Sequence, residues 1–556
     1  MPKFDEEKQK KRYEELRERE AEELAHVLSK KYGIPYLDLS MITIDLDSLK
    51  IIPEVEAREG KIAVFQSVGR KLQVAVLSPK LEATKRILAD LKSKRFETEL
   101  FFVSETSLEK AFSRYPEIPV FTEIKEGVVD ISTSRLKNFQ TQVRGVKTLK
   151  ELLSASADAK EVRRISEVLE MLLAGALSLE ASDIHLEPGE KKAQVRFRLD
   201  GVLQDVVTIE LQVYQLLTSR IKLLSELKLN VKDRAQDGRF TIRTKEFDVE
   251  VRTSVLPGPY GESLVLRVLH PKTISLGLED LGIEASLLET LKKELEKPNG
   301  MILTTGPTGS GKTTTLYAFV KKISVPGVKV VTIEDPIEYH VEHITQTQVD
   351  AEKGYDFANG LRSILRQDPD IILVGEIRDL ETAETAMHAA LTGHLVFSTL
   401  HTNDAAGTIL RLIDLGVKPN IIAPAINIAM AQRLVRILCP VCAKKHPPSE
   451  IELQEIKTVI DSLPPHFEKP NLAEAQVSGA VGCEACNETG YKGRLGVFEA
   501  FQVNEKVERL IMENPSEASI KEAAREQEML TMRQDGMLKV LRGVTSLEEL
   551  NRVMGV

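Results

Sequence analysis

Compact apolar runs alternate with longer stretches of helical spacing in the second half of the chain. Met301–Leu303, Val328–Thr332, Asp370–Val374 and His394–Ser398 are short and rich in β-branched residues, the composition of parallel strands covered on both faces. Helix-like stretches such as Thr314–Lys322 lie between them, so this half predicts an α/β unit with an open sheet. The first half is patterned differently. Residues 5–31 carry Tyr13, Leu16, Leu24, Val27 and Leu28 at helical spacings among Glu, Lys and Arg, predicting a solvated amphipathic helix. From Gly33 to Tyr115, strand patterns (Ile62–Phe65, Leu72–Leu77, Thr98–Val103) mix with helical ones (Leu81–Leu91, Ser107–Phe112), as in a small α+β domain. Residues 116–160 contain Pro116, Pro119 and several Ser and Thr with little periodicity, and read as a linker. A helix over Glu161–Leu179, a strand over Lys192–Leu199 and a turn at Asp200-Gly201 open a further unit.

With 556 residues the chain exceeds what one hydrophobic core supports, so two to four domains are expected. The boundaries read as 1–115, a linker over 116–160, a middle domain over 161–275 and a final domain over 276–556. No apolar run approaches the ~20 residues that span a bilayer; Asn420–Met430, broken by Pro and Asn, reads as buried helix. The opening Met-Pro-Lys-Phe-Asp-Glu-Glu-Lys is charged and has no apolar core, which predicts a reducing, cytoplasmic setting.

Candidate chemistry begins at Gly306-Pro307-Thr308-Gly309-Ser310-Gly311-Lys312-Thr313, a G-x-x-x-x-G-K-T run between a strand and a helix. In that context the glycines let backbone N–H groups turn around phosphate oxygens. Lys312 adds a charge at the β- and γ-phosphates, Thr313 offers its hydroxyl to Mg²⁺, and Thr314 continues the loop into the helix. ATP is the expected ligand. The three later runs end in Glu334-Asp335-Pro336-Ile337-Glu338, Gly375-Glu376-Ile377-Arg378-Asp379 and Thr399-Leu400-His401-Thr402-Asn403. Ligands of open α/β sheets bind beyond the carboxyl ends of the strands, so these clusters are expected to converge on the phosphates. Many phosphate-loop ATPases carry an Asp directly before the catalytic Glu. Here that position is Gly375, leaving Glu334 and Glu338 to order metal-bound water and Glu376 to orient or deprotonate the attacking water. His394 and His401 either sense the γ-phosphate or satisfy hydrogen bonds at the strand end.

The segments GPTGSGKTT, TIEDPIEY, LRQDPDIILVGEIRD and TGHLVFSTLHTND together resemble the four signatures of the secretion ATPases that drive type II secretion and type IV pilus assembly, over roughly residues 160 to 556. Gly375 is usual in that family. The resemblance implies a RecA-like phosphate-loop ATPase domain preceded by an α+β middle domain and a small α+β amino-terminal domain. It assigns Glu334 and Glu338 to an acidic box, Glu376 as the catalytic carboxylate, and His394 and His401 to a histidine box. Ser182-Asp183-Ile184-His185-Leu186-Glu187-Pro188 resembles the family's middle domain. Arg252 and Arg267, on either side of Pro257-Gly258-Pro259-Tyr260-Gly261-Glu262, match its sensing arginines, with Arg239 a further candidate; surface ion pairing is the alternative for each. The family's cyclic-dinucleotide motif is not found in the amino-terminal domain.

All four cysteines fall in two C-x-x-C pairs, Cys439/Cys442 and Cys483/Cys486, the pattern of a tetrahedral structural zinc site at the base of an insertion over Ala443–Gly482. Two disulfides are the alternative, which a reducing compartment disfavours. In the resembling family such a tetracysteine subdomain marks assembly rather than retraction ATPases. The resemblance further implies a cytoplasmic homohexameric ring, peripheral at the inner membrane through a platform protein and acting indirectly on pilin-like subunits. A nucleic-acid ring motor is a rival, but the net charge of −9 and the absence of Trp offer neither a basic channel nor stacking positions. A non-hydrolysing scaffold would not need Glu376, Lys312 and the histidines together.

Overall fold

The computed structural model describes residues 20–115, 127–131, 139–157, 162–270 and 276–555, apart from positions 43, 50, 95, 140, 144, 245, 246 and 514. The chain divides near residue 123 into two compact units. In the first, β1 (Ile62–Val68), β2 (Lys71–Val76) and β3 (Glu97–Phe102) form a sheet, β1 antiparallel and β3 parallel to β2. The amino-terminal helix, described over residues 20–32, is not simply solvated. Its Glu22 carboxylate accepts hydrogen bonds from Tyr36 Oη at 2.5 Å, Ser104 Oγ at 2.6 Å and Ser107 Oγ at 3.1 Å. Leu24 and Val27 of the expected stripe are exposed, and Ala25 and Ser29 are buried instead. Tyr13 and Leu16 lie outside the described residues.

The second unit opens on a sheet of β4 (Val128–Asp130), β5 (Asp183–Pro188), β6 (Lys192–Leu199), β7 (Val202–Glu210), β8 (Gln236–Arg243), β9 (Asp248–Gly258) and β10 (Gly261–Leu269), in the order β4-β8-β9-β10-β5-β6-β7. Burial alternates along β6 and β9, so one face packs on the helices Val146–Ala157, Val162–Ser178 and Leu211–Leu224 and the other is polar. The described parts of the expected linker belong to this domain: β4 runs parallel to β8, and Leu149 and Leu153 of the helix Val146–Ala157 are buried in its core. The strand has only three residues, but the helix does carry Val146, Leu149, Leu152 and Leu153 at helical spacing, a signal that the neighbouring Ser and Thr obscure.

The last sheet runs β13-β12-β14-β15-β11-β16-β19, from β11 (Gly300–Thr305), β12 (Val330–Glu334), β13 (Thr345–Gln348), β14 (Ile371–Val374), β15 (Leu395–Leu400), β16 (Ile426–Leu438) and the antiparallel β19 (Tyr491–Gln502). Every residue of β11, β12, β14 and β15 is buried, because helices cover both faces. The stretch Asn420–Met430 is divided between the helix Pro419–Ala425 and the start of β16; an unbroken apolar run cannot by itself distinguish buried helix from buried strand. A two-stranded ribbon, β17 (Lys444–His446) and β18 (Val477–Gly479), and the helix Glu450–Asp461 form the insertion between β16 and β19. Among the described residues, no helix is long and apolar enough to cross a membrane.

Candidate active site

The loop after β11 feeds directly into the helix Lys312–Ile323. A Cβ on Gly306, whose φ is +150°, would lie 2.6 Å from both Gln432 O and Ser310 Oγ, so only glycine lets β16 and the loop approach this closely. Gln432 Nε2 donates to Ser310 O at 2.8 Å, holding the loop from beneath. Ser310 Oγ and Gln432 Oε1 are buried without protein partners. Lys312 Nζ spans the loop, donating to Gly306 O at 2.8 Å and Pro307 O at 3.1 Å. Burial pulls its pKa down to about 8, with Glu376 acting in the opposite direction. A half-buried cation beside loop polar groups is suited to an anionic ligand.

Glu376 follows β14 and faces Arg378, whose guanidinium contacts one carboxylate oxygen and also reaches Asp335 at 3.5 Å. His401 Nε2 lies 3.2 Å from the other oxygen. At Gly375 an added Cβ would lie 3.3 Å from Ile333 O and 3.4 Å from Glu334 Cα, so an Asp here would crowd β12.

Two expected site residues take other roles. The buried Glu334 carboxylate is engaged by Tyr317 Oη, by Thr332 Oγ1 at 2.6 Å and by Gln346 Nε2 at 3.2 Å. It braces β12 against the phosphate-loop helix, in contrast to the expectation that it orders metal-bound water. His394 precedes β15, whose first residue Leu395 pairs with Gly300 while Leu400 pairs with Thr305 at the phosphate-loop end. Six strand residues at ~3.3 Å each separate it from the site. Its Nδ1 lies 3.0 Å from Ala389 O, so it closes a helix–strand junction, as the second of its two expected readings has it. An apolar run with polar residues at both ends leaves open which end faces the ligand.

Glu338 is the acidic group that reaches the centre. Burial raises its pKa, whereas Arg252, Arg267 and the Thr313 hydroxyl each favour its charged form. Arg252 Nη2 also donates to Ile337 O at 2.5 Å, joining the middle domain to the acidic loop. Arg239, Arg252 and Arg267 are successive cross-strand partners on β8, β9 and β10, and the row continues through Asp183 on β5 to Arg198 on β6. A carboxylate beside a threonine hydroxyl and a phosphate site is a fitting donor set for Mg²⁺, which takes oxygen ligands and keeps waters.

Four functional positions escaped the sequence reading. Arg378 and Tyr317 were not distinguished from ordinary polar residues. Gln432 and Arg433 interrupt the apolar run of β16, and that interruption was their signal. Arg433 Nη2 donates to Asn403 O at 3.0 Å, linking β16 to the His401 turn.

The four cysteine sulfurs all lie within 4.8 Å of one another. Cys439–Cys483, Cys442–Cys486 and Cys483–Cys486 are 3.9, 3.7 and 3.7 Å apart, against about 3.8 Å for thiolates around tetrahedral zinc. Backbone N–H groups of Cys483 and Gly490 donate to Cys486 Sγ at 3.2 Å each, an arrangement that favours thiolate. All four residues therefore fit a structural zinc ion with no open ligand position. Beside them, Asn487 Oδ1 accepts from Val146 N at 2.9 Å, and Gly493 N donates to Asp200 Oδ2 at 3.1 Å, tying the centre to the middle domain.

A family model described as "Type II/IV secretion system protein" matches residues 158–552. A type IV pilus assembly ATPase, PilB, of Myxococcus xanthus is 36% identical over 96% of this chain and 91% of its own length. A type II secretion system protein E of Aeromonas hydrophila is 44% identical over 72% of this chain and 77% of its own. The X-ray structure of the Legionella pneumophila ATPase DotB superposes with a TM-score of 0.50 at 22% identity, covering 69% of this chain and 94% of that one. That last likeness concerns the fold.

Proposed function

The chain belongs to the type II/IV secretion system protein family and is an ATP hydrolase of that family; from this premise we propose that it is a ring-forming motor, a homohexamer, that drives pilus assembly. The observation that carries the proposal is the bond from Arg252 Nη2 to Ile337 O, next to Glu338, which brings a second domain's cation to the acidic loop. ATP binds along residues 306–314. Glu376, held between Arg378 and His401, orients the attacking water and accepts its proton. Lys312 and the arginines offset charge developing on the transferred phosphoryl group. Mg²⁺, held by Thr313 and through water by Glu338, would supply charge neutralisation at the phosphates.

Hydrolysis removes the anion that draws the arginine row toward the loop, so each turnover loosens the middle domain against the ATPase domain. In a ring, that displacement passes to neighbouring protomers and then to a partner at the inner membrane. The partner is a platform protein that adds pilin-like subunits to a filament. The domain assignments are 1–115, a middle domain that includes residues 127–157 and runs to about 275, and 276–556 with the zinc-stapled insertion over 439–486.

The pilus reading draws on relatives named for pilus assembly that match nearly the whole chain. The higher identity of a type II secretion relative over a shorter share of the chain favours the second reading, assembly of a secretion pseudopilus. Replacing the chain in its host by its Glu376→Gln form separates them. Loss of surface filaments with secretion intact supports the first and the converse supports the second. Filaments and secretion both unaffected would overturn both.

A further inference from the structure

The Ser182-Asp183 step opens β5 in the middle of the arginine row, where Asp183 is the acid between two arginines. Its side chain is 8% exposed, whereas that of Arg267 is 55% exposed. Asp183 Oδ1 accepts from Arg267 Nε at 3.1 Å. Asp183 Oδ2 lies 3.3 Å from Arg198 Nε and accepts from Ser182 Oγ at 2.8 Å. Cross-strand pairing fixes these neighbours: Arg267 is opposite Asp183 on one side, and Arg198 is opposite it on the other.

The way the bonds are made matters more than their number. A carboxylate that grips an arginine by both terminal nitrogens occupies the fork that would otherwise clasp phosphate. Asp183 takes the inner Nε of Arg267 instead. That bond fixes the plane of the guanidinium and leaves its two outer nitrogens outside the pair. Because the carboxylate is buried and the guanidinium exposed, the anchor lies in the sheet and the fork projects from it. An ion pair serving stability alone has no need to spare the fork.

We propose that Asp183 is a positioning residue for ATP hydrolysis, which holds Arg267 by Nε so that its terminal nitrogens meet the phosphates when the middle domain closes on the loop. Arg198, bound to the other oxygen, braces the carboxylate from the far side. This rests on the reading of Arg267 as a phosphate-facing arginine, and the test separates the two. A fork held in a single plane loses little freedom on meeting the transition state, and its misplacement is felt in turnover rather than in nucleotide affinity.

The test is a double-mutant cycle in the full chain, with ATP turnover and nucleotide affinity both measured. Asp183→Ala is expected to lower kcat about tenfold with KM changed by less than about threefold. Asp183→Asn, which keeps one acceptor oxygen and is the milder change for folding, is expected to recover part of that loss. In an Arg267→Ala background neither substitution should lower kcat further, because the group being positioned is gone. An equal loss in both backgrounds would show a merely structural acid and overturn the proposal. Wild-type turnover in Asp183→Ala with a defective Arg267→Ala would overturn it while leaving the arginine reading intact. Wild-type turnover in Arg267→Ala would remove the arginine reading itself and the proposal with it.

Discussion

Arg252 and Arg267 stand directly opposite each other on β9 and β10, and both guanidinium groups act on the Glu338 carboxylate beside Thr313. Two cations on a rigid hairpin thus reach the acidic loop as a pair. Their neighbourhood also contains Glu250, 3.2 Å from Arg252 Nε, and Asp183 on Arg267 Nε, so each inner nitrogen is taken, and Arg252 uses its outer Nη2 on Ile337 O.

Arg252→Ala is expected to reduce turnover by about ten- to a hundredfold with ATP affinity changed by less than about threefold. Its contact with Ile337 O closes the two domains, and a Lys substitution cannot reproduce the two-sided grip. Steady-state kinetics together with binding of a non-hydrolysable ATP analogue checks the split; an affinity loss matching the turnover loss would instead make Arg252 a ground-state binding residue.

Glu376→Gln should bind ATP and lose about a hundredfold or more in turnover, because the water loses its proton acceptor. His401→Gln should lose less, since it touches the carboxylate rather than the water. Single-turnover hydrolysis measures both, and the order of the two effects is the informative result.

Lys312 supplies a pH signature. Burial lowers its pKa to about 8, so in the nucleotide-free protein it loses its proton as pH rises through that value. Bound phosphate favours the charged form and raises the pKa again. Nucleotide binding between about pH 8 and pH 10 is therefore expected to take up protons, approaching one per site. Without nucleotide the sign for stability also follows: the unfolded chain holds this proton more tightly, so this group's penalty on folding lessens as pH rises from about 8 toward the ordinary lysine range. Calorimetry in buffers of different ionisation enthalpy reads the uptake, and Lys312→Ala should abolish it.

The tetracysteine cluster should carry one zinc per chain. Chelation, or Cys439→Ser, should lower the thermal midpoint and increase proteolysis around residues 443–482 while leaving nucleotide affinity within about twofold, since no sulfur touches the phosphate loop. Metal content and limited proteolysis check this. Because Asn487 accepts from Val146 N, loss of the ion should also loosen the helix Val146–Ala157.

The strands that carry the phosphate loop and Glu376 were legible in the sequence because each is a wholly apolar run ending in polar residues, and the sheet is covered on both faces. For His394, which precedes its strand, the sequence left two readings open, and its contact with Ala389 O matches the hydrogen-bonding one. For Glu334 the sequence shows a carboxylate but not the Tyr317, Thr332 and Gln346 donors that engage it. Part of the arginine row could have been read: Arg252 and Arg267 are equidistant from the Gly258–Gly261 turn, and a hairpin pairs such residues. Asp183 and Arg198 join the row only through the order of strands in the sheet, which no local pattern encodes. The helix Val146–Ala157 was legible from Val146, Leu149, Leu152 and Leu153 at helical spacing, although Ser and Thr around it suggest a linker.

The coupling of sites in a ring is the central claim, and mixing tests it most directly. Wild-type chain is combined with increasing fractions of Lys312→Ala chain at fixed total concentration, and ATP turnover is recorded. Turnover is expected to fall more steeply than the wild-type fraction, because each inactive protomer stalls its neighbours, and dilution should lower the rate per chain. Turnover strictly proportional to the wild-type fraction and unchanged on dilution would mean independent subunits, and would contradict the account.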